Sequence, residues 1–223
     1  MPLDIGQELR SPTLDEGWLK KVIIGGILSM IPIVNFVVYG YVLRRFKMAM
    51  MGEAQLPEWE GWGEMFVLGL KYIVVSIVYM IIPVLVLLVM VVPSGVGTHG
   101  LGAPEVWSPS AMIAPAFVVY LVLSAVFFFF VPMASARLAA TSSMGEAVRF
   151  GDIYRRIRMV FGDYLTGYVV LIVIMLAASL VGLIPFVGWV LTVFVSFYVL
   201  LVLASIFGKL YALTEPAPAP SSE

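Results

Sequence analysis

The sequence predicts an all-α, polytopic transmembrane helical bundle with a parallel internal repeat and proline-broken or re-entrant segments, and three observations carry that reading. First, 61% of the 223 residues are hydrophobic and 12% are charged, with a mean hydropathy of +1.04. Soluble domains carry about 25% charged residues, so this chain has too little polar surface to face water throughout. Second, no Lys or Arg lies between Lys71 and Arg137, and beyond Arg158 only Lys209 is basic. Long apolar stretches bounded by short charged ones are what helices crossing hydrocarbon require. Third, runs such as Val118–Val131 do not alternate apolar and polar residues, as the strands of a membrane barrel do.

The polar segment 1–17 carries Asp4, Glu8, Asp15 and Glu16 without an apolar core of its own, so it does not read as a cleavable signal peptide. A single membrane domain is expected over 18–211, with apolar helices at about 18–45, 66–92, 111–136, 166–183 and 187–208. The first stretch is long enough to span with tilt, but Pro32 removes a backbone donor inside it. It is either one kinked span or a re-entrant pair of short helices, and the second form needs protein around the freed backbone groups. Pro83 sits near the middle of the second block, and Pro132 follows Phe127–Phe130 in the third. Residues 93–110, rich in Gly, Pro and Ser, read as an external loop, and Ile184-Pro185-Phe186 joins the last two helices. The tail 212–223 ends in PAPAPSSE, too polar and proline-rich to pack, and is expected to be disordered.

Charge orients this arrangement. Arg44, Arg45 and Lys47 flank one connector, while Arg137, Arg149, Arg155, Arg156 and Arg158 occupy another. Two spans separate the connectors, which places them on the same side. The loop 93–110 has no Lys or Arg, so the positive-inside rule puts connectors 46–65 and 137–165 in the cytoplasm of a cell membrane. Arg10, Lys20 and Lys21 favour a cytoplasmic N-terminus as well, which a re-entrant first segment allows.

Met51-Gly52-Glu53-Ala54 recurs as Met144-Gly145-Glu146-Ala147, each copy seven residues after an arginine, Arg44 or Arg137. Two intervening spans make this a candidate duplication of parallel orientation. The competing explanation is local: Ser143 followed by Glu146 forms a helix-start capping box that arises independently. After the second copy, Phe150, Ile153, Ile157 and Val160 share a face while Arg149, Arg155 and Arg156 fall mainly elsewhere, the pattern of a basic helix at a membrane surface. After the first copy, Leu56-Pro57-Glu58-Trp59-Glu60-Gly61-Trp62-Gly63-Glu64 is acidic. A cytoplasmic clasp pairing Glu58, Glu60 or Glu64 with Arg149, Arg155 or Arg156 is therefore one expectation. The plainer alternative is solvated charge, where an exposed pair contributes only about 0–1 kcal/mol.

Catalytic chemistry is sparse. There is no cysteine, the only histidine is His99 in the loop 93–110, and the expected hydrocarbon regions contain no Asp or Glu. Thiol chemistry, His-carboxylate metal sites and Ser-His-Asp arrangements therefore lack their residues, and no phosphate-binding glycine loop is present. No cofactor, metal or catalytic residue is expected, nor a nucleic-acid partner at a formal net charge of −1. The polar side chains within the helices are Asn35, Tyr39, Tyr41, Ser76, Tyr79, Tyr120, Ser124, Thr192, Ser196 and Tyr198. Their ordinary role is hydrogen bonding between helices. The sharper possibility is an intramembrane polar site near Asn35, Tyr39 and Tyr198, beside the breaks at Pro32 and Pro185.

Gly40-Tyr41 with Arg44, then Leu56-Pro57-Glu58-Trp59, then Gly69-Leu70-Lys71-Tyr72, and finally Gly208-Lys209-Leu210-Tyr211 together resemble the uncharacterised prokaryotic membrane family known as domain of unknown function 4013, common in archaea. The resemblance covers roughly residues 15–212, and it implies a multi-span membrane protein without implying catalysis. The residues themselves point to a non-enzymatic membrane protein with a scaffolding or assembly role. Its expected partners are membrane lipids, with other membrane proteins or further copies of the chain as possible additions, and its contact surface is expected at 48–65 and 144–163. A passive transporter, channel or lipid-handling protein is the alternative.

Overall fold

The computed structural model describes residues 5–95, 109–185 and 187–215, and all regular structure among them is helical. In order these are α1 (Ile5–Arg10), a 3-10 turn (Ser11–Leu14), α2 (Trp18–Ser29), α3 (Asn35–Met50), α4 (Trp62–Gly95), α5 (Pro109–Thr141), α6 (Met144–Ala147), α7 (Phe150–Met159), α8 (Phe161–Val181) and α9 (Val187–Ala212). His99, most of the loop 93–110, Phe186 and the tail from Pro216 lie outside the described residues.

Four helices are long and apolar enough to cross a membrane: Trp62–Val91, Ile113–Thr141, Phe161–Val181 and Val187–Ala212. The stretch 18–45 is not a fifth. It divides into α2, of 12 residues, and α3, of 16. At about 1.5 Å per residue neither reaches the roughly 30 Å of a hydrocarbon core. The break lies where the sequence places Pro32, and the chain reverses through Ile33, whose φ of 72° puts a β-branched side chain in the left-handed region. Ile33 is 68% exposed, so its side chain offers little packing to offset that strain. Ile33→Gly is expected to raise the thermal midpoint slightly, by the equivalent of about 1 kcal/mol, in a melting experiment in detergent.

Prolines inside the longer helices act differently. Pro83 lies within α4 without ending it, and Pro132 lies within α5, which continues to Thr141 rather than stopping near 136. In lipid a helix is the cheapest way to satisfy the backbone, so a lost hydrogen bond rarely ends it there.

The described chain forms two compact units, where a single domain over 18–211 was expected. One comprises Met1–Val74 with Pro132–Glu223; the other is Val75–Val131. Both boundaries fall inside long helices, α4 and α5, of 34 and 33 residues, each about 50 Å. In the second unit Tyr79 and Ala116 are fully buried, while Val84, Leu85, Val89, Val118 and Val122 stand exposed. A helix that is apolar all round and exposed on most faces matches hydrocarbon rather than water as its solvent.

The first unit is organised by α9. The hairpin of α2 and α3 lies along it, α2 antiparallel and α3 parallel. Trp18 meets Tyr198 edge-on at 6.3 Å, and a Cβ on Gly25 would lie 2.2 Å from the Phe197 ring, so glycine there lets the ring seat against the α2 backbone. On α3, Tyr41 packs against Phe197 at 5.9 Å, and further along Gly208 of α9 approaches the Phe46 carbonyl. The closest crossing joins α3 to the start of α4: a Cβ on Gly40 would sit 1.9 Å from the Met65 carbonyl oxygen, and one on Gly69 would sit 1.7 Å from that of Phe36. Small residues allow helix backbones to touch in lipid, where dispersion contacts replace the hydrophobic effect as the force between helices. Residues 5–17 are part of this unit rather than a separate polar segment: Tyr198 donates to the Leu9 carbonyl at 2.7 Å and Glu8 pairs with Lys209.

Candidate functional site

The polar chemistry of the first unit is concentrated near the C-terminal end of α9, in two clusters. The first is built under the connector 53–60. Arg45 falls on the same stripe of α3 as Val38, Tyr41, Val42 and Ala49, all buried, so the helix carries its guanidinium into the core, where it is completely inaccessible. It donates to Ser205 Oγ at 2.8 and 3.1 Å, to Ser11 Oγ at 2.6 Å, and to the carbonyls of Glu53 and Gln55 at 2.7 and 3.2 Å. One fork thereby ties the N-terminal turn, α3, α9 and the connector together.

Beside it, the buried Lys21 ammonium donates to Asp15 Oδ2 at 2.9 Å and to the Leu56 carbonyl at 3.0 Å, and pairs with Glu58 at 2.6 Å. Asp15 in turn accepts from the amides of Leu56 and Gly17. The Tyr41 hydroxyl donates to the Pro57 carbonyl at 2.8 Å, and its ring stacks on Trp59 at 4.0 Å. Arg44 holds the connector's far end through the Glu60 carbonyl and the Glu64 carboxylate. Each residue of the Leu56-Pro57-Glu58-Trp59 segment thus has a side chain or backbone group held by α2, α3 or the N-terminal segment.

Burial by itself would raise the Asp15 pKa, but the Lys21 ammonium and the two backbone amides overcome it and hold the carboxyl below its ordinary value of 3.8. A group with a depressed folded pKa stabilises fully above its unfolded value. That stability is lost as pH falls from about 3.8 through the folded pKa. The melting midpoint is therefore expected to fall with acidification in that window, and Asp15→Asn is expected to start lower at neutral pH and change less across it. Equal pH slopes for the two proteins would refute this assignment.

The second cluster surrounds Arg137 at the end of α5. Its guanidinium donates to the Tyr211 hydroxyl at 2.8 Å and to Glu146 at 2.6 Å, with Asp152 and Glu215 at 3.6 and 3.5 Å. Arg156 donates to Thr214 Oγ1 at 2.8 Å, pairs with Glu215 at 3.0 Å and lies 4.7 Å over the Tyr211 ring. The first residues of the expected tail are consequently held in place.

These geometries correct several expectations. Among the described residues no ion pair joins Glu58, Glu60 or Glu64 to Arg149, Arg155 or Arg156: Glu58 faces Lys21, Glu64 faces Arg44, Arg149 pairs with Glu146, Arg155 with Asp152 and Arg156 with Glu215. Every one of these charges except Glu60, which is held through its backbone carbonyl, has a nearer partner of opposite sign that a connector-to-connector clasp would have to break. Arg156 shares the buried face of α7 with Ile153 and Ile157, while Phe150 turns partly outward. Nor are Asn35, Tyr39 and Tyr198 gathered into one site. Asn35 starts α3, Tyr39 stacks on Tyr72 at 5.0 Å, and Tyr198 is spent on Leu9 and Trp18.

The two Met-Gly-Glu-Ala copies differ in conformation. The first is a turn with Gly52 at a φ of 78°; the second is helix α6, whose N-cap Ser143 accepts from the Glu146 amide. Position 50, corresponding to Ser143, is methionine and offers no such cap.

Sequence reasoning missed the roles of Lys21, Arg45 and Asp15. A signal was present for Arg45, a lone cation at helical spacing within an apolar stripe. Lys21 and Asp15 carry no comparable signal, because although they pair with each other, the connector groups they hold, at Leu56 and Glu58, lie some 35 to 41 residues away.

What these elements define is a membrane protein with four helices suited to spanning and with its ionic groups used to fasten its own chain ends. It belongs to the family described as "Protein of unknown function (DUF4013)", whose model matches residues 24–187. No curated protein and no solved structure matches the chain.

Proposed function

We propose that the protein is a non-enzymatic multi-pass component of the cytoplasmic membrane that scaffolds or assists other membrane components, with connectors 46–65 and 137–165 in the cytoplasm. The observation that carries this reading is where the buried polar groups point. Arg45, Lys21, Asp15 and Tyr41 are occupied by the chain's own carbonyls, amides and hydroxyls, so the energy of burying charge is used to hold a defined surface. At that end Met51, Trp62, Met144, Tyr154, Met159 and Phe161 are exposed, apolar side chains available to a partner or to the bilayer surface. The α2–α3 hairpin is a re-entrant element on this reading: the chain leading into it, at Glu8 of α1, and the end of α3, at Arg45, meet the same end of α9 through Lys209 and Ser205. The matched order of arginine, helix end and Met-Gly-Glu-Ala, lying before α4 in one copy and forming α6 before α7 in the other, supports a parallel duplication whose connectors have since diverged.

Single cysteines at Glu53, Arg155 and His99 test the topology, since the chain has none of its own. In intact cells a membrane-impermeant maleimide is expected to label position 99 alone; labelling at 53 would overturn the orientation. For the role, photo-crosslinkers at Trp62 and Tyr154 are expected to capture a discrete second polypeptide. Capture of lipid alone, together with solute flux through reconstituted vesicles, would reject scaffolding in favour of a passive transporter.

A further inference from the structure

A second feature at the same end is used by neither ionic cluster. A cleft of about 550 Å³ opens where the end of α3, the start of α4 and the end of α5 meet. Three cations line it, Arg44, Lys47 and Lys71, against one carboxylate, Glu64. Its remaining wall is apolar, formed by Leu43, Val67 and Leu68 among others.

The three cations are not equally committed. Both terminal nitrogens of Arg44 are engaged, with the Glu60 carbonyl and Glu64. Lys71 donates one hydrogen to the Ser142 carbonyl at 2.8 Å, and an ammonium has two more. Ser142 has a φ of 55°, a left-handed turn at the point where α5 ends and its carbonyl meets Lys71. Lys47 is exposed, and its side chain makes no hydrogen bond or ion pair among the described residues. The cleft therefore holds an excess of positive charge with free donors above an apolar wall.

From the cleft, α4 continues with Val67, Leu70 and Val74, all exposed and spaced at three and seven residues, so they form one stripe along the helix. A cationic cleft at the head of an exposed apolar stripe has the chemistry of a phospholipid: phosphate at one end, acyl chain along the other. We infer that this cleft binds the phosphate of an anionic membrane phospholipid, held by Lys47 and Lys71, with an acyl chain lying along Val67, Leu70 and Val74. A soluble phosphate would use the two lysines and leave the stripe idle. This inference depends on the membrane class of the protein and not on the scaffolding role.

Native mass spectrometry of the full chain in detergent, titrated with phosphatidylglycerol or phosphatidylcholine, tests it. One phosphatidylglycerol is expected to bind about tenfold more tightly than phosphatidylcholine, and Lys47→Gln with Lys71→Gln to weaken it about tenfold or more. Arg10→Gln with Lys20→Gln, two exposed cations outside the cleft, is expected to leave binding within about twofold. Equal weakening by both pairs would mean diffuse surface charge and overturn the site. Displacement of the lipid by millimolar inorganic phosphate would overturn the lipid as its occupant. If the double variant melts early, Lys47→Glu alone, at an unpaired exposed position, gives the same reading. Unchanged lipid binding there rejects the cleft, while the cross-linking result above stands or falls separately.

Discussion

Arg45→Met is expected to cost about 3–5 kcal/mol and to release the connector 53–60 from the bundle. Methionine fills much of the same volume, so the loss is not one of packing. It is the loss of the guanidinium donors to Ser11, Ser205 and the carbonyls of Glu53 and Gln55, in a place water does not reach, which leaves the two hydroxyls only each other and the Leu201 carbonyl. Arg45→Lys is expected to recover little. A single ammonium cannot reach the two hydroxyls on one side and the two carbonyls on the other, which the guanidinium does with separate nitrogens. The measurement is a thermal melt in detergent followed by tryptophan fluorescence, with Trp59 in the connector as reporter. The shift expected is about 10 °C for a chain of this length. Limited proteolysis should cleave near Gln55 in the variant and not in the parent. A melt unchanged from the parent would show that the buried fork is not what holds the connector.

The second large effect is steric. Gly69→Val is expected to cost more than about 3 kcal/mol, because the new side chain meets backbone rather than a movable side chain. Its Cβ would lie 1.7 Å from the Phe36 carbonyl oxygen, and Gly40 faces the Met65 carbonyl across the same crossing. Relief requires α3 and α4 to separate, which also pulls Tyr39 off Tyr72. Gly63→Ala, on the same helix, has nothing within 4 Å of the new Cβ. It is expected to be neutral or to stabilise by about 0.5–1 kcal/mol, since alanine loses less backbone entropy in a helix. Opposite signs for these two glycine substitutions would confirm that close approach, and not helix propensity, fixes the residue at 69. Equal, small effects would refute the crossing.

Much of the helical layout was legible from residue chemistry. Four of the five apolar blocks became long helices, because an uninterrupted apolar run in lipid has no cheaper way to satisfy its backbone. The break at Pro32 was legible as a place, though not as a choice between a kink and a reversal. That choice depended on α9 offering a groove in which Phe197 could meet Gly25. The extension of α5 past Pro132 was missed for a related reason. Pro132, Met133, Ala134 and Leu138 are buried within the first unit, and packing held the helix through a residue that disfavours it.

The ionic pattern was the least legible part. Sign and position along the chain offered Glu58, Glu60 or Glu64 as partners for Arg149, Arg155 or Arg156, but a charge pairs with whatever the fold brings within reach, as Glu58 and Arg155 illustrate. Lys21 and Asp152 were already there. The same holds for Arg45, whose partners are mostly neutral oxygens that no count of opposite charges would find.

By itself the sequence determined that this protein is helical and belongs in a membrane, and where most of its long helices run, because those outcomes follow from hydrophobicity and backbone hydrogen bonding summed over twenty or more neighbouring residues. Tertiary structure alone decided that the first apolar stretch folds into a hairpin, that Arg45 and Lys21 fasten the connector, and that Lys47 and Lys71 share a cleft. Each of those depends on contacts between residues far apart in the chain, and such contacts follow the geometry of helix packing rather than any local pattern.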